Sequence, residues 1–404
     1  MSHLEAESTP ELLGPAVPFP AETLFGEPDE LTRLRATDGL PAVRTATGDS
    51  AWLVCRYADV KALARDDVVG RGHPDPSSAA RLWDSALFEP EPGGAAESDD
   101  HARWRRAVSR PLSMPALSAG YQHRIDRVLD RLLDEIVADG PPADLCVRLI
   151  RPFAVEVIFD LLGVPEAYQP VLLALGDEIR RQGDRGRAVE AYQQVRQLFR
   201  ELVEQTADDA VGIMAHLRRH HDGDGRLTPD QASQAGTFLF LGGYETVATR
   251  LAHMLLFLLV HPGQAKRLRE APEQIPAAIE EMLRMIVPGG GWVPRYAQRD
   301  FAYAGSHVQA GDLIVFAIQS ANRDEQVFPE AATFLADRTP NAHIAFGYGP
   351  RFCLGAALAR LELRAAVREF LRRLPDARLA GPVEEIEFET EKSAGGIRRL
   401  PIIW

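Results

Sequence analysis

The segment Phe346-Gly347-Tyr348-Gly349-Pro350-Arg351-Phe352-Cys353-Leu354-Gly355 brings a thiol to the head of an Ala-, Leu- and Arg-rich stretch that stops before Pro375 and reads as a helix. Gly347 and Gly349 allow a tight loop there. A cysteine at a helix N-terminus meets free amides and the positive end of the helix dipole, which lower a thiol's pKa and hold a thiolate. Gly355 would let the backbone approach whatever the sulfur binds. A buried structural cysteine is the competing reading, and a metal cage finds little support because no second Cys or His lies two to four residues away. Another run, Gly242-Gly243-Tyr244-Glu245-Thr246, interrupts an otherwise apolar helical pattern. Two glycines inside a helix cost about 1 kcal/mol each relative to Ala, and a buried Glu and Thr need partners. Local violations of this kind mark functional sites.

The cysteine segment resembles the haem-binding loop of the cytochrome P-450 family, Phe-x-x-Gly-x-Arg/His-x-Cys-x-Gly, matching it at Phe346, Gly349, Arg351, Cys353 and Gly355. Three further sets of residues occur in the family's order, so the resemblance runs from about residue 20 to the C-terminus. It implies a mainly α fold with small β-sheets, a long central helix over the haem, and one haem-thiolate domain over 20–404 after an N-terminal extension of 1–19. It makes Cys353 the axial ligand of a haem b. Gly242 and Gly243 would open the central helix for dioxygen, with Glu245 and Thr246 as an acid–alcohol pair that organises protons. Val247 departs from the Thr or Ser usual next in the family. Glu281-x-x-Arg284 would join Arg338 in a buried charge network behind the haem. His101, Arg105, Arg295 and Arg351, with His343, would hold the two haem propionates, since buried carboxylates want fork-shaped donors.

A thiolate opposite dioxygen favours cleavage of the O–O bond. Electrons would come from NADPH through a ferredoxin and its reductase, because no Gly-x-Gly-x-x-Gly segment after a strand and no clustered cysteines are present. The resemblance assigns substrate contacts to Trp83 and Phe88, to Phe240, and to Gly289, Gly290 and Trp292; the alternative for the last three is a plain turn beside a core tryptophan. Arg103, Arg106, Arg351, Arg360 and Arg364 would form a basic patch that docks an acidic ferredoxin. The favoured activity is monooxygenation of a hydrophobic natural product. An oxidative coupling or ring-forming enzyme acting on an aromatic or indole cyclic dipeptide is the alternative, and a catalytically silent haem-binding recruiting module is a third.

The elements that must position these residues are legible in outline. Residues 42–58 read as a hairpin turning at Gly48-Asp49, and 70–98 as a Gly- and Pro-rich lid containing Trp83 and Phe88. Ser98 is placed to cap a helix opening with Asp99 and Asp100. Thr228-Pro229-Asp230-Gln231 is a capping box that opens a helix running to His261-Pro262, about 32 residues or roughly 48 Å. Short strands follow at 301–303, 307–308 and 313–316, and the tail from Val383 reads as a hairpin around Ala394-Gly395-Gly396. Across 404 residues the formal charge of −13 disfavours a nucleic-acid or anionic-membrane surface. Cys55, Cys146 and Cys353 are too few for a disulfide framework, which fits a reducing cytoplasm. No signal peptide or membrane anchor is expected, since the Leu251–Val260 run is far short of a bilayer span.

Overall fold

The computed structural model describes residues 14–86, 91–92, 95–207, 209–219, 221–222, 225–389 and 395–404. The first hairpin forms as its alternation dictates, β1 (Ala42–Arg44) pairing antiparallel with β2 (Ser50–Val54) around Gly48, whose φ of +91° only glycine adopts readily. β3 (Val69–Gly70), β4 (Trp292–Ala297) and β5 (Leu313–Ala317) complete a five-stranded sheet in the order β1-β2-β5-β4-β3. β5 runs parallel to β2 with Ile314 opposite Trp52, so the sheet ties the start of the chain to its last third. Ala16 bridges Arg44 and Phe19 packs edge-on against Trp292 at 6.0 Å, so the packed structure already includes residues 16–19.

Helices make up most of the rest. Those used below are α1 (Tyr57–Leu63), α2 (Ala95–Ser109), α3 (Arg151–Leu162), α4 (Gln169–Arg180), α5 (Arg185–Gln205), α6 (Pro229–Gly243), α7 (Glu245–Val260), α8 (Ile275–Met285) and α9 (Ala356–Arg373). α2 starts three residues before Ser98, which therefore lies inside the helix instead of capping it. The capping box forms, with the Thr228 hydroxyl accepting from the Gln231 amide at 3.2 Å and the Gln231 side chain accepting from the Thr228 amide at 3.0 Å. The expected 32-residue helix is in fact two, α6 and α7, broken at Tyr244. The tail departs from a simple hairpin as well. Phe388 pairs with Ile397, but the last strand, Pro401–Ile403, leaves to lie between Arg378–Leu379 and Ala143–Asp144.

One large core surrounds α6 and α7, with α3, α5 and α9 packed around them. A second cluster sits on the five-stranded sheet and takes in Trp83 and Trp292. Among the described residues no helix is long and apolar enough to cross a membrane.

Candidate active site

Cys353 stands three residues before the start of α9, in a loop held by its own backbone: the Cys353 amide donates to the Phe346 carbonyl at 2.9 Å. Gly347 and Gly349 have φ of +73° and +74°, and a side chain on Gly349 would meet the Ala64 carbonyl at 2.6 Å, so α1 presses the loop into place. Cys55 and Cys146 are buried, whereas the Cys353 side chain is accessible. Protein nevertheless crowds the sulfur enough that desolvation raises its thiol pKa; the Gly355 amide, Arg105, Arg360 and the Ala356 amide work in the opposite direction. Behind the loop, Arg360 stacks 4.5 Å over the Phe346 ring.

The cations gather around His101. Burial first, then the charges of Arg351, Arg105, Arg71 and Arg295, push the His101 pKa down to about 3. Arg105 also donates to the Phe352 carbonyl at 2.6 Å, tying α2 to the cysteine loop. The combined positive charge of four arginines at one imidazole suits anions, and sequence reasoning missed Arg71, whose only signal is a cation between Gly70 and Gly72. His343 turns elsewhere. Its Nε2 lies 3.2 Å from Glu280, its side chain is 2% exposed, and it belongs to a cluster in which Arg360 and Arg364 also bind Glu280, at 2.8 and 3.0 Å.

From His101 the site continues through Trp104, 5.2 Å away edge-on, to Phe238 on α6, 5.1 Å from Trp104. Phe238, Gly242 and Thr246 follow one another at four-residue spacing, and all three are exposed within helices otherwise buried nearly all round. A Cβ on Gly242 would meet nothing within 4 Å, whereas one on Gly243 would strike Ile158 at 2.4 Å; the first keeps a face clear and the second permits close packing. The Thr246 hydroxyl donates to the Gly242 carbonyl at 2.5 Å. Glu245 points to the other side, 7% exposed, where the charge of Arg151 reaches it; Arg151 also binds Glu389 at 2.7 Å.

The Glu281 carboxylate is fully buried and accepts from Arg284 (2.7 and 2.8 Å), Arg338 (2.9 and 3.0 Å), Asn341 (3.1 Å) and the Leu335 amide (3.1 Å). This is the network expected of the three residues, enlarged by two donors.

The residues expected to contact substrate on the central helix and near Trp292 lie mostly in packed surroundings. Phe240 is fully buried, stacked between Phe159 at 5.6 Å and Tyr244 at 5.3 Å, on the opposite side of α6 from Phe238. Gly289, Gly290 and Gly291 all have positive φ, and a side chain on Gly290 would strike the Trp292 indole nitrogen at 2.3 Å. They form a left-handed turn beside Trp292, which packs in the cluster on the five-stranded sheet. Trp83 is 7% exposed in the same cluster, and Phe88 lies outside the described residues.

These residues fit a flat, dianionic, iron-bearing group: an accessible sulfur at a helix head for the metal, a cationic cluster for two carboxylates, and a clear glycine face. The comparisons agree. The family model for cytochrome P-450 matches residues 154–375. Pentalenolactone synthase of Streptomyces exfoliatus is 34% identical over 96% of this chain and 98% of its own length, and mycinamicin IV hydroxylase/epoxidase of Micromonospora griseorubida is 33% identical over 95% and 96%. The solved LnmA hydroxylase of the leinamycin pathway of Streptomyces atroolivaceus superimposes with a TM-score of 0.85 at 34% identity, covering 96% of this chain and all of that one. With motif, fold and whole-length similarity in accord, the chain belongs to the cytochrome P-450 family, whose haem is held by a cysteine thiolate.

Proposed function

We propose that this protein is a monooxygenase that oxidises a hydrophobic natural product with dioxygen and two electrons delivered by a ferredoxin and its NADPH-dependent reductase. The accessible Cys353 sulfur, next to the arginine cluster at His101 and the open Phe238–Gly242–Thr246 face, carries this reading. Bound there, the haem supplies the oxygen chemistry. Cys353 would bind its iron through the thiolate, and Arg105, Arg351, Arg295 and Arg71 with His101 would hold its carboxylates. Thr246, exposed on the open face, would pass protons by releasing the hydrogen bond its hydroxyl donates to the Gly242 carbonyl. Glu245, buried beside Arg151 on the other side of the helix, would supply the acid of the relay on turning toward that face.

Phe238, exposed on α6 and backed by the buried Trp104, offers the substrate an aromatic contact. Relatives that include a pentalenolactone synthase and a mycinamicin IV hydroxylase/epoxidase support a natural-product substrate. The test is a ligand screen by Soret shift followed by mass spectrometry of the turnover product. One added oxygen per product supports monooxygenation. A joined or cyclised product of lower hydrogen content, without added oxygen, would replace it with oxidative coupling.

A further inference from the structure

Arg180, the last residue of α4, is 2% exposed, and among the described residues no carboxylate pairs with it. A buried guanidinium without a counter-charge is expensive, so its donors must be satisfied in another way. They converge on the break in the central helix. Nη1 donates to the Tyr244 hydroxyl at 2.9 Å and to the Gly176 carbonyl at 3.2 Å, and Nη2 donates to the Leu241 carbonyl. The guanidinium also lies 4.7 Å from the centre of the Tyr244 ring. Gly176 is shaped to this contact, since a Cβ there would meet the Tyr244 hydroxyl at 2.7 Å.

Tyr244 is the residue between α6 and α7, and the last carbonyls of α6 have no continuing helix to bond them. Two neighbours among these are closed by side chains from different directions. Leu241 accepts from Arg180, and Gly242 accepts from Thr246 at 2.5 Å. A cation at a helix C-terminus also suits the negative end of its dipole. Kinks arise where a side chain inserts into the helical hydrogen-bond ladder.

We infer that Arg180 is a positioning residue: by occupying the Leu241 carbonyl and clasping Tyr244 it keeps the central helix open, and so sets where Thr246 presents its hydroxyl. The seating of α4 is thereby linked to the geometry of the oxygen-facing helix. The consequence for turnover rests on the proposed role of Thr246, but the effect on the helix does not.

The test is amide hydrogen exchange on the haem-loaded protein, read on peptides spanning residues 241–248, with peptides of α9 as the control. Arg180→Met frees the Leu241 carbonyl to take the Glu245 amide, so exchange at 245–246 should slow about fivefold, the factor one net hydrogen bond provides. Arg180→Lys keeps a cation able to reach that carbonyl and should restore exchange toward the native rate. Unchanged or faster exchange in Arg180→Met, with α9 unaltered, would overturn the inference. Should Arg180→Met fail to take up haem, Tyr244→Phe decides: it removes the hydroxyl clasp alone, and exchange equal to the native protein's counts against Arg180. Because exchange reads the helix and not catalysis, slowed exchange alongside normal turnover would sustain the inference while removing the role given to Thr246.

Discussion

At Cys353 the outcome turns on one atom. Cys353→Ala should abolish the long-wavelength Soret band of the reduced carbon monoxide complex, while Cys55→Ala and Cys146→Ala should retain it, since burial pushes both of those thiols up to about 12 and neither sulfur is accessible. Retention of the band in Cys353→Ala would end the assignment. Thr246→Ala removes a hydroxyl whose one hydrogen bond among the described residues goes to the Gly242 carbonyl. Haem uptake and ligand-induced Soret shifts should therefore stay within about twofold, while peroxide released per NADPH rises several-fold, because an interaction needed only late in the cycle affects turnover and not binding. Unchanged coupling would shift proton delivery to Glu245 or to the ligand. These residues were legible because their chemistry follows from sequence-local patterns. Phe238, two helical turns before Thr246 on the same face, is equally visible in the sequence once the helical period is applied, whereas Phe240 falls on the opposite side. Arg180 and Arg71 give no local signal, since what each touches is far away along the chain.

The helix α8 carries adjacent carboxylates with opposite surroundings, and only one was foreseen. Glu281 anchors a closed network with Arg284 and Arg338, so Glu281→Gln should cost about 3–5 kcal/mol by leaving buried guanidiniums under-paired, measured as lost denaturant stability. Glu280 faces α9. Burial alone would raise its pKa, but hydrogen bonds from His343 and Arg360, with the charge of Arg360, outweigh it and hold the group at about 2. Its folded value lies below the ordinary one, so the unfolded chain takes up protons first as the solution is acidified. The stabilisation is complete above the ordinary carboxylate range, amounts to about 2–3 kcal/mol, and is lost as pH falls toward 2. Glu280→Gln should flatten this part of the Tm–pH profile; an unaltered slope between pH 4.5 and 2 would show that Glu280 is not held down. The Glu-x-x-Arg spacing announces the first carboxylate. The second depends on α9 arriving with Arg360 and Arg364 one turn apart, which no local pattern on α8 reveals. The same limit explains the central helix: its cap and end were readable, but the break at Tyr244 is made by Arg180 from another helix.

For the whole molecule, a charge of −13 makes the location of positive charge decisive for meeting an acidic electron donor. The patch expected from the sequence does not survive folding intact, because Arg360 and Arg364 are tied to Glu280 and Arg351 lies in the cluster around His101. Arg364→Glu would therefore bring a second carboxylate against Glu280 and lower stability, which makes it a poor probe of docking. On the outer side of the cysteine loop a groove of about 490 Å³ is lined by Lys61, Arg65, Tyr348 and Phe352. Lys61 and Arg65 lie 4.7 and 4.6 Å from the centre of the Tyr348 ring, and Phe352 immediately precedes Cys353. A ferredoxin seated there would be one loop away from the thiolate. Attraction between exposed charges is screened over about 8 Å at physiological ionic strength, so reduction should slow as salt rises. Arg65→Glu, on an exposed side chain, should slow stopped-flow reduction about tenfold at low salt and flatten the salt dependence, with ligand-induced Soret shifts unaltered. Reduction equally fast in Arg65→Glu and the native protein, at low and high salt alike, would place the donor on another face.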